Sequence, residues 1–565
     1  MFLGIDAGGT HTDAALISQG RVLAGAKART DHDDLPSSVR EVLEPLARTL
    51  DLHNVRRVAL GTTLAINAIV QGRTDPVGLA LSAGPGMDPT RHALGEHVVV
   101  VPGGLDHRGV EVTPLREKDL LPVARRWREQ GVEHFAVVGK FSPRNPAHEQ
   151  RMEAVLKSFG QVTQGHLLSG QLNFPRRVAG AWYNSAVWRI HNAFLDAVEQ
   201  VLREFGVQAP VYLLKADGGA VPVELSRRHP VNSILSGPAA SIMGVMALAA
   251  ATPRADALAG DALLLDMGGT TTDIGLYAQG SPVLDRLGMR LVGAAGARCT
   301  PVRALASRSL GVGGDSRLCL AADLLQVGPH RDGPAMAFGG AAPTLLDAMN
   351  VAGLGAAGDV AASRRGLEAL AGQHGREAGA LAHEAVAQAT GKIAAAVREL
   401  VDTVNAHPVY TLAALLEGRR ITPLSAWLVG GPAGMMAQAL HDALAMPVHI
   451  PPHADVANAV GAALTLPTAE LELFADTTQG CARIPALDWR RDIPRNYTLE
   501  QAREDALKAL RELAASLPGA QAVQAVEVLE EDLFATLDDQ GYGGRDIRVR
   551  CQLVPGIACP VTAPA

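Results

Sequence analysis

The chain has 565 residues, of which 47% are hydrophobic, and this is enough for at least two cores because single cores stop growing near about 250 to 300 residues. Its 51 lysines and arginines are outnumbered by 58 aspartates and glutamates, and no basic block is long enough for a phosphate backbone, which argues against a nucleic-acid partner. Five cysteines without Cys-x-x-Cys spacing, and apolar runs too short for a signal peptide or a bilayer span, predict a cytoplasmic protein that does not bind membranes.

The first feature along the chain is a glycine-threonine turn between two apolar runs. Residues 6–13 read Asp-Ala-Gly-Gly-Thr-His-Thr-Asp, which predicts strand, turn and strand. Residues 266–273 read Asp-Met-Gly-Gly-Thr-Thr-Thr-Asp, again between apolar runs. A repeat that includes its flanking strands predicts a duplicated lobe.

Between the two repeats, strand-like and helix-like segments alternate, which is typical of α/β proteins. The predicted strands are residues 55–60, 77–81, 135–138 and 211–214, and the predicted helices are residues 62–72, 117–130, 146–158 and 176–205. A further helix follows Gly237-Pro238.

The second half begins with a glycine-rich region, about residues 286–360, that we predict to be irregular. The elements predicted after it are a long helix at 377–405, a strand at 426–429, a helix through 444, a strand at 448–450 and a helix at 456–466, in which Gly461 favours close helix packing. Beyond residue 467, a charged helix at 498–517 and an alternating strand at 546–553 predict a small appended α/β module.

The two turns have the chemistry of a phosphate site. Paired glycines bring backbone N–H groups close to phosphate oxygens, and threonine hydroxyls add donors. No lysine lies in either turn and no helix follows directly, so a P-loop is a poorer account. The alternative is a plain hairpin, which a second copy makes less economical. The candidate nucleotide-binding residues are Gly8, Gly9, Thr10, Thr12, Gly268, Gly269, Thr270, Thr271 and Thr272.

The carboxylates beside the turns have a separate predicted role. Asp6 and Asp266 end their strands and are expected to hold the waters of a bound Mg²⁺. Asp13 and Asp273 begin the next strands and are expected to orient the attacking oxygen or water, so all four are candidate catalytic residues.

A third glycine-rich segment follows the strand at 426–429. Residues 430–434 read Gly-Gly-Pro-Ala-Gly, and we expect Gly430, Gly431 and Gly434 to leave bare backbone against an adenine or ribose. The alternative is an ordinary strand-to-helix turn with its proline near the first helical position.

The repeated turn resembles that of the actin, sugar-kinase and heat-shock-ATPase superfamily. The resemblance implies a two-lobed actin-like ATPase of the α/β class, with duplicated ribonuclease H-like mixed sheets, helices and a C-terminal α/β module. We expect a first lobe at residues 1–180 with the first turn and an insertion, a second lobe at 181–466 with the second turn and the adenosine loop, and the module at 467–565.

Five motifs in order resemble the hydantoinase/oxoprolinase family, specifically its hydantoinase A-like subunit. They are the two turns, residues 61–67 (Gly-Thr-Thr-Leu-Ala-Ile-Asn), residues 236–239 (Ser-Gly-Pro-Ala) and residues 430–434. The chain departs from the family at His11, where a phenylalanine is usual, and at residues 311–316 and 333–338, which lack the usual Gly-Gly-Gly-Ser and Pro-Gly-Pro-Ala-Cys-Tyr.

The resemblance implies that ATP with Mg²⁺ drives hydrolytic opening of a cyclic amide such as a hydantoin or 5-oxoproline. It also implies a partner, either a second hydantoinase-type subunit or a second copy in a homodimer. The candidate substrate contacts are Thr62, Thr63, Asn67 and Ser236. Two alternatives stay open: an ATP-driven reactivase that transforms no small molecule, and a small-molecule kinase.

Overall fold

The computed structural model describes residues 1–31, 34–252, 254–285, 288–293, 296–321, 323–406, 420–517, 525–537 and 543–562. Within these ranges the chain forms two lobes, which a pair of central helices joins. It also forms an α/β insertion and a C-terminal module. No helix in the described ranges is both long enough and apolar enough to cross a membrane.

The first lobe is built on a six-stranded mixed sheet. The N-terminal strand Phe2–Ala7 pairs antiparallel with His11–Ser18 and parallel with Arg57–Thr62. Helices Leu35–Thr49 and Trp188–Glu204 cover one face and share its apolar core. The strand order is Ala220–Pro222, Val211–Leu214, Arg57–Thr62, Phe2–Ala7, His11–Ser18 and Arg21–Arg29.

The second lobe repeats this arrangement. Its sheet order is Ser281–Pro282, Thr272–Ala278, Ala262–Met267, Ser425–Val429 and Val448–His449, with Ser307–Leu310 added beside Thr272–Ala278. The antiparallel register matches the first lobe, because Ala7 faces Thr12 and Met267 faces Thr272. The helices that share its core are Leu345–Val351, Val360–Gly372, Ala378–Asn405 and Ala433–Leu444.

Two helices, Ser236–Leu248 and Ala457–Leu464, lie between the lobe sheets. A Cβ on Gly461 would lie 2.0 Å from the Ala240 carbonyl oxygen, and one on Gly244 would lie 2.1 Å from that of Ala457. The helices therefore touch backbone to backbone, which is the close packing that Gly461 predicts. This contact fixes the joint between the two lobes.

The insertion is a four-stranded parallel sheet in the order Gln161–Gln164, His134–Val138, Val77–Ser82 and His97–Val101. Helices Leu120–Glu129, Ala147–Leu156 and Phe174–Ala186 pack around this sheet. The helix predicted over residues 176–205 is in fact two helices, which meet at Val187.

The expected lobe boundary at residue 180 needs correction. It falls inside helix Phe174–Ala186, and the next helix buries Phe194, Leu195 and Val198 in the first-lobe core. Strand Val211–Leu214 also pairs with Arg57–Thr62, so the first lobe continues beyond residue 180 to at least residue 222. Burial of these apolar side chains assigns the segment to the first lobe.

The C-terminal module is a five-stranded antiparallel sheet that packs against helix Leu499–Ser516. After the module the chain returns to the joint, where the Val561 amide donates to the Ala247 carbonyl at 2.9 Å. The order of its strands is Trp489–Asp492, Cys481–Ile484, Glu470–Asp476, Gly543–Leu553 and Val526–Leu537.

The remaining elements are short. The region predicted to be irregular, about residues 286–360, contains two small hairpins and helix Leu345–Val351. The hairpins are Arg290–Gly293 with Gly296–Cys299 and Leu318–Ala321 with Leu324–Val327. The described chain also contains a third hairpin, three short α-helices and several 3-10 helices. The hairpin is Gly104–Leu105 with Glu111–Thr113, and the α-helices are Leu64–Val70, Gly165–Leu168 and Val223–Arg228.

Candidate nucleotide and substrate site

The two glycine-threonine turns have the same local geometry. In the first turn the Gly8 amide donates to the His11 carbonyl at 3.0 Å, and in the second the Gly268 amide donates to the Thr271 carbonyl at 2.9 Å. In both hairpins the acidic residues face each other across the strand pair, Asp6 with Asp13 and Asp266 with Asp273. The sequence repeat is therefore also a structural repeat.

The turns meet tip to tip across the cleft. The hydroxyls of Thr10 and Thr270 are hydrogen-bonded at 2.9 Å. A Cβ on Gly269 would lie 2.9 Å from the Thr10 methyl carbon and 2.7 Å from a carboxylate oxygen of Asp315, so a larger residue here would force one of these side chains to move. Both turns line one cavity of about 1510 Å³.

Most of the sequence-predicted residues line this cavity. They are Asp6, Gly8, Gly9, Thr10, Asp13, Thr63, Asn67, Asp266, Gly268, Gly269, Thr270, Thr271, Asp273, Gly430 and Gly431. Thr12 and Thr272 are instead fully buried behind the turns, where Thr12 bonds the Thr30 hydroxyl at 3.0 Å and Thr272 donates to the Val312 carbonyl at 2.7 Å. These two threonines stabilise the turns from behind.

Thr62, Ser236 and Gly434 also lie away from the cavity wall. The Ser236 hydroxyl donates to the Thr62 carbonyl at 2.8 Å and accepts from the Thr62 amide at 3.2 Å, and both residues are buried. Gly434 is exposed within helix Ala433–Leu444. Ser236 therefore fixes the backbone beside the site, which leaves Thr63 and Asn67 as the substrate-side candidates.

Thr63 and Asn67 lie next to the first turn. The Asn67 Nδ2 donates to the Thr63 hydroxyl at 3.3 Å, and a Cβ on Gly9 would lie 3.2 Å from the same nitrogen. Helix Leu64–Val70 positions both side chains, because it follows directly on the strand that pairs with the N-terminal strand.

At the second lobe, Gly430 has φ +96°, and a Cβ there would lie 2.2 Å from the Met267 carbonyl oxygen. Only glycine therefore allows the chain to turn this close to the neighbouring strand end. The cavity wall continues from Gly431 through Pro432 and Met435, which gives an apolar surface suited to a base.

The segment 311–316, where the chain departs from the family pattern, supports the second turn. The Gly314 amide donates to the Gly268 carbonyl at 2.9 Å and the Asp315 amide to the Gly269 carbonyl at 2.7 Å. Asp315 also forms an ion pair with Arg331 at 3.1 Å. In the other departing segment, 333–338, Phe338 lines the cavity.

Asn458 links the acidic residues of the two lobes, and the sequence analysis did not identify it. Its Nδ2 donates to Asp6 Oδ2 at 3.3 Å and to Asp266 Oδ2 at 3.1 Å, and Ser241 donates to the same Asp266 oxygen at 2.6 Å. Asn458 lies in the central helix Ala457–Leu464. Its position within the predicted helix at 456–466, where Gly461 indicates close packing, was the signal that could have identified it.

Lys27 is a second residue that sequence reasoning missed. Its ammonium lies 3.0 Å from Asp13 Oδ1 and 3.1 Å from Oδ2, and it donates to the Asp455 carbonyl at 3.0 Å. Lys27 faces Asp13 in the register of strand Arg21–Arg29, which was not predicted. A third strand inferred after the hairpin would have placed the two side chains together.

Burial changes the acidity of three of the four carboxyls. Burial, and then the nearby Asp13, raises the pKa of Asp6 to about 7. Burial also raises the pKa of Asp13 to about 6, although Lys27 opposes this rise. The pKa of Asp273 is raised to about 7 by burial and by Asp266. These values suit proton transfer near neutral pH.

The acidic cluster fits a hydrated divalent cation. Asp6 Oδ1 and Asp273 Oδ1 are enclosed without a hydrogen-bond partner among the described residues, and carboxylate oxygens are the ligands that Mg²⁺ prefers. Within the same residues, no group of three or more His, Cys, Asp or Glu side chains is arranged to hold a metal ion directly. Asp6 and Asp266 both line the cavity and have the carboxylate chemistry to hold the waters of a bound Mg²⁺.

Two family models match the chain. Residues 2–160 match the hydantoinase/oxoprolinase N-terminal region and residues 177–471 match hydantoinase/oxoprolinase. The caprolactamase subunit alpha of Pseudomonas jessenii is 29% identical over 61% of this chain and 53% of its own length. The acetophenone carboxylase gamma subunit of Aromatoleum aromaticum is 24% identical over 62% and 52%, and 5-oxoprolinase 1 of Arabidopsis thaliana is 23% identical over 48% and 25%.

The chain thus spans about half the length, or less, of the curated relatives it matches. Among solved structures, the ATP-dependent caprolactamase from Pseudomonas jessenii has a TM-score of 0.70 at 21% identity and covers 100% of this chain and 88% of its own. Nucleotide-free acetone carboxylase also has a TM-score of 0.70, at 17% identity, over 99% and 88%. These similarities support the two-lobed actin-like fold, and the matched models show that the chain belongs to the hydantoinase/oxoprolinase family.

Proposed function

We propose that this protein uses ATP to open a cyclic amide by hydrolysis. The observation that carries the proposal is the meeting of the two turns, whose threonine hydroxyls lie 2.9 Å apart above a set of acidic residues in one cavity. Family membership and the names of two relatives, a caprolactamase subunit and a 5-oxoprolinase, support the same reaction class.

The cavity offers a separate place for each part of the nucleotide. The bare backbone at Gly430 and Gly431, with the apolar wall beside it, suits adenosine. The backbone of both turns and the hydroxyls of Thr10 and Thr270 suit the phosphates. Asp6 and Asp266 would hold the waters of Mg²⁺, which when bound neutralises phosphate charge.

The reaction begins at the amide, whose carbonyl oxygen attacks the γ-phosphorus as ADP leaves and the ring N–H proton is lost. Asp13 or Asp273 accepts that proton through a bridging water, because a carboxylate with a pKa of about 6 to 7 is an effective base near neutral pH. Water then adds to the phosphorylated carbon and the ring C–N bond breaks. A second water releases phosphate and leaves the open-chain amino acid.

We also propose that a partner completes the enzyme. Two of the relatives are named as subunits, and this chain spans about half of their length. A second hydantoinase-type subunit is the first candidate, and a second copy of this chain is the other.

The test is to incubate the protein with Mg-ATP and a panel of lactams, hydantoins and 5-oxoproline, alone and with the products of neighbouring genes. We expect phosphate release that depends on one class of ring and matches the amount of ring-opened acid. ATP hydrolysis that no ring stimulates, together with recovery of activity in a partner enzyme, would instead show a reactivase. A stable phosphorylated product would show a kinase.

A second candidate activity is ATP-dependent carboxylation of a ketone. It is favoured by the acetophenone carboxylase gamma subunit, which matches as much of the chain as the caprolactamase subunit does. Phosphoryl transfer to a carbonyl oxygen would serve this reaction as well. Bicarbonate and acetophenone belong in the same panel, and phosphate release that requires both would favour this candidate.

A further inference from the structure

The two lobes repeat more than the phosphate turns. In each lobe the N-terminal strand of the hairpin pairs in parallel with a second strand, which then runs into a helix beside the cavity. Asp6 is in register with Gly61 in one lobe and Asp266 with Val429 in the other. We call these strand-to-helix segments the first corner, residues 61–67, and the second corner, residues 429–435. Both corners line the same cavity.

The corners differ in the chemistry they offer. The second corner presents glycine and proline backbone, which is the surface already assigned to adenosine. The first corner presents the side chains of Thr63 and Asn67, next to Gly9 of the first turn. Since the phosphates are expected between the corners, the first corner lies where the molecule that accepts the phosphoryl group would bind.

The first corner also has an apolar wall. Ile66, Ile190 and Leu235 are half-buried, all three pack against one apolar cluster, and all three line the cavity. This wall would bury the hydrocarbon part of a small ligand. The polar groups beside it, the Thr63 hydroxyl and the Asn67 carboxamide, carry no net charge.

Asn67 suits a ring amide in particular. Its carboxamide has two N–H donors and a carbonyl acceptor, and among the described residues its side chain makes one hydrogen bond, to Thr63 at 3.3 Å. One N–H and the carbonyl thus remain for a ligand. In a small lactam the ring forces the amide to be cis, so its N–H and C=O point the same way and match the two groups of a carboxamide.

We propose that the first corner is the acceptor pocket and that it selects an uncharged lactam with a hydrocarbon ring. The Asn67 N–H donates to the ring carbonyl, the Asn67 carbonyl accepts from the ring N–H, and the ring packs against Ile66, Ile190 and Leu235. The inference rests on the proposed function and deepens it. The competing ligand is a ring that carries a carboxylate, because the exposed Arg73 follows the helix and also lines the cavity.

Binding is tested apart from turnover. Saturation-transfer NMR on the full chain with ADP should show 2-pyrrolidinone, δ-valerolactam or ε-caprolactam bound to the wild type. The Asn67→Ala variant should bind them about tenfold more weakly, since a hydrogen-bonded pair is lost. The exposed Asn54→Ala is the matched control and should bind like the wild type. No lactam binding to the wild type, or equal binding by Asn67→Ala, would overturn the inference.

Ring-size selectivity provides a second readout, which a merely structural role of the wall would not move. Ile190→Ala enlarges the pocket, so the kcat/KM ratio of ε-caprolactam to 2-pyrrolidinone should rise by about tenfold. Asn67→Ala should raise KM for both lactams and leave this ratio unchanged. An unchanged ratio in Ile190→Ala would show that the apolar wall is not part of the pocket that binds the ring.

The charged alternative is tested with 5-oxoproline. A wild-type preference for 5-oxoproline over 2-pyrrolidinone of tenfold or more, lost in Arg73→Ala, would show that the pocket selects a carboxylated ring and would overturn the inference. If the wild type binds lactams through Asn67 but never opens them, the pocket stands and the proposed hydrolysis fails.

Discussion

The two phosphate hairpins have the same backbone and different surroundings. Their strand registers match and the same hydrogen bond closes both turns. Beside the first hairpin, Lys27 forms an ion pair with Asp13. Beside the second, Asp273 faces Ser309 and has no cationic partner among the described residues.

The difference in surroundings separates the features that both hairpins share from the features that belong to one hairpin only. In the proposed function both turns approach phosphates, and both have paired glycines and the acidic residue that ends the strand. The flanks line one cavity from the two lobes, where Asn67 belongs to one corner and Gly430 to the other. In the proposed function this divergence at the flanks gives a symmetric pair of phosphate turns one side for the nucleotide and another for the acceptor.

The largest expected effect concerns the acidic residue that ends the first strand of each hairpin. Asp6→Asn and Asp266→Asn keep the size of the side chain and remove the charge that would hold metal-bound waters. We expect each to lower kcat for ATP hydrolysis by about 10² to 10³-fold, comparable to the loss of one preorganised electrostatic group in other enzymes. The exposed Asp402→Asn is the control. Retained activity in only one of the variants would show that the lobes do not share one cation.

A smaller effect is expected at the bridge between the lobes. Asn458→Ala leaves Asp6 and Asp266 without their common donor, while Ser241→Ala removes a donor from Asp266 alone. We expect Asn458→Ala to weaken Mn²⁺ binding, measured by electron paramagnetic resonance with ATP present, by about tenfold to thirtyfold. Ser241→Ala should have the smaller effect. Equal losses of Mn²⁺ affinity in the two variants would show that Asn458 supports the carboxylate of one lobe only.

Much of the fold was predictable because its signals are local. Both hairpins, the strand at Val211–Leu214 and the helix at Ala378–Asn405 follow from apolar runs and turn residues. The break at Val187 had only a weak local signal, since residues 176–205 contain no proline and only the pair Asn184-Ser185 precedes the break. Tertiary packing determines it, because the second helix buries its apolar face in the first lobe.

The site was predictable where one short motif holds its chemistry, as at Gly8, Gly9 and Thr10. It was not predictable where partners lie far apart in the chain. Asn458 reaches Asp6 across 452 residues, and Lys27 reaches Asp13 only through the register of an adjacent strand. The Ser236 hydroxyl bonds the Thr62 backbone, and a motif does not reveal which way a hydroxyl faces.

Removing Lys27 should break the asymmetry between the hairpins. The Lys27 ammonium lowers the pKa of Asp13, so Lys27→Met should raise that pKa further above its usual range. If Asp13 acts as the base, kcat/KM should fall by about tenfold near pH 6.5 and recover at higher pH, with Lys27→Arg close to wild type. An unchanged pH profile would make Asp273 the base, because the pKa of that carboxyl is set by burial, Asp266 and Ser309 and not by Lys27.

The smallest expected effect is on stability without metal or nucleotide. Asp6 and Asp273 have pKa values raised to about 7, so each holds its proton more tightly in the folded than in the unfolded chain. The stability this contributes is present at low pH and is lost as the pH rises through about 7. With EDTA present, Tm should therefore fall by a few degrees between about pH 5.5 and pH 8. Asp273→Asn should flatten this fall more than Asp13→Asn, since Asp13 has the smaller rise and an ion pair. If differential scanning calorimetry shows that both variants flatten the fall in Tm equally, the two hairpins have different ionic partners but contribute equally to the pH dependence of stability.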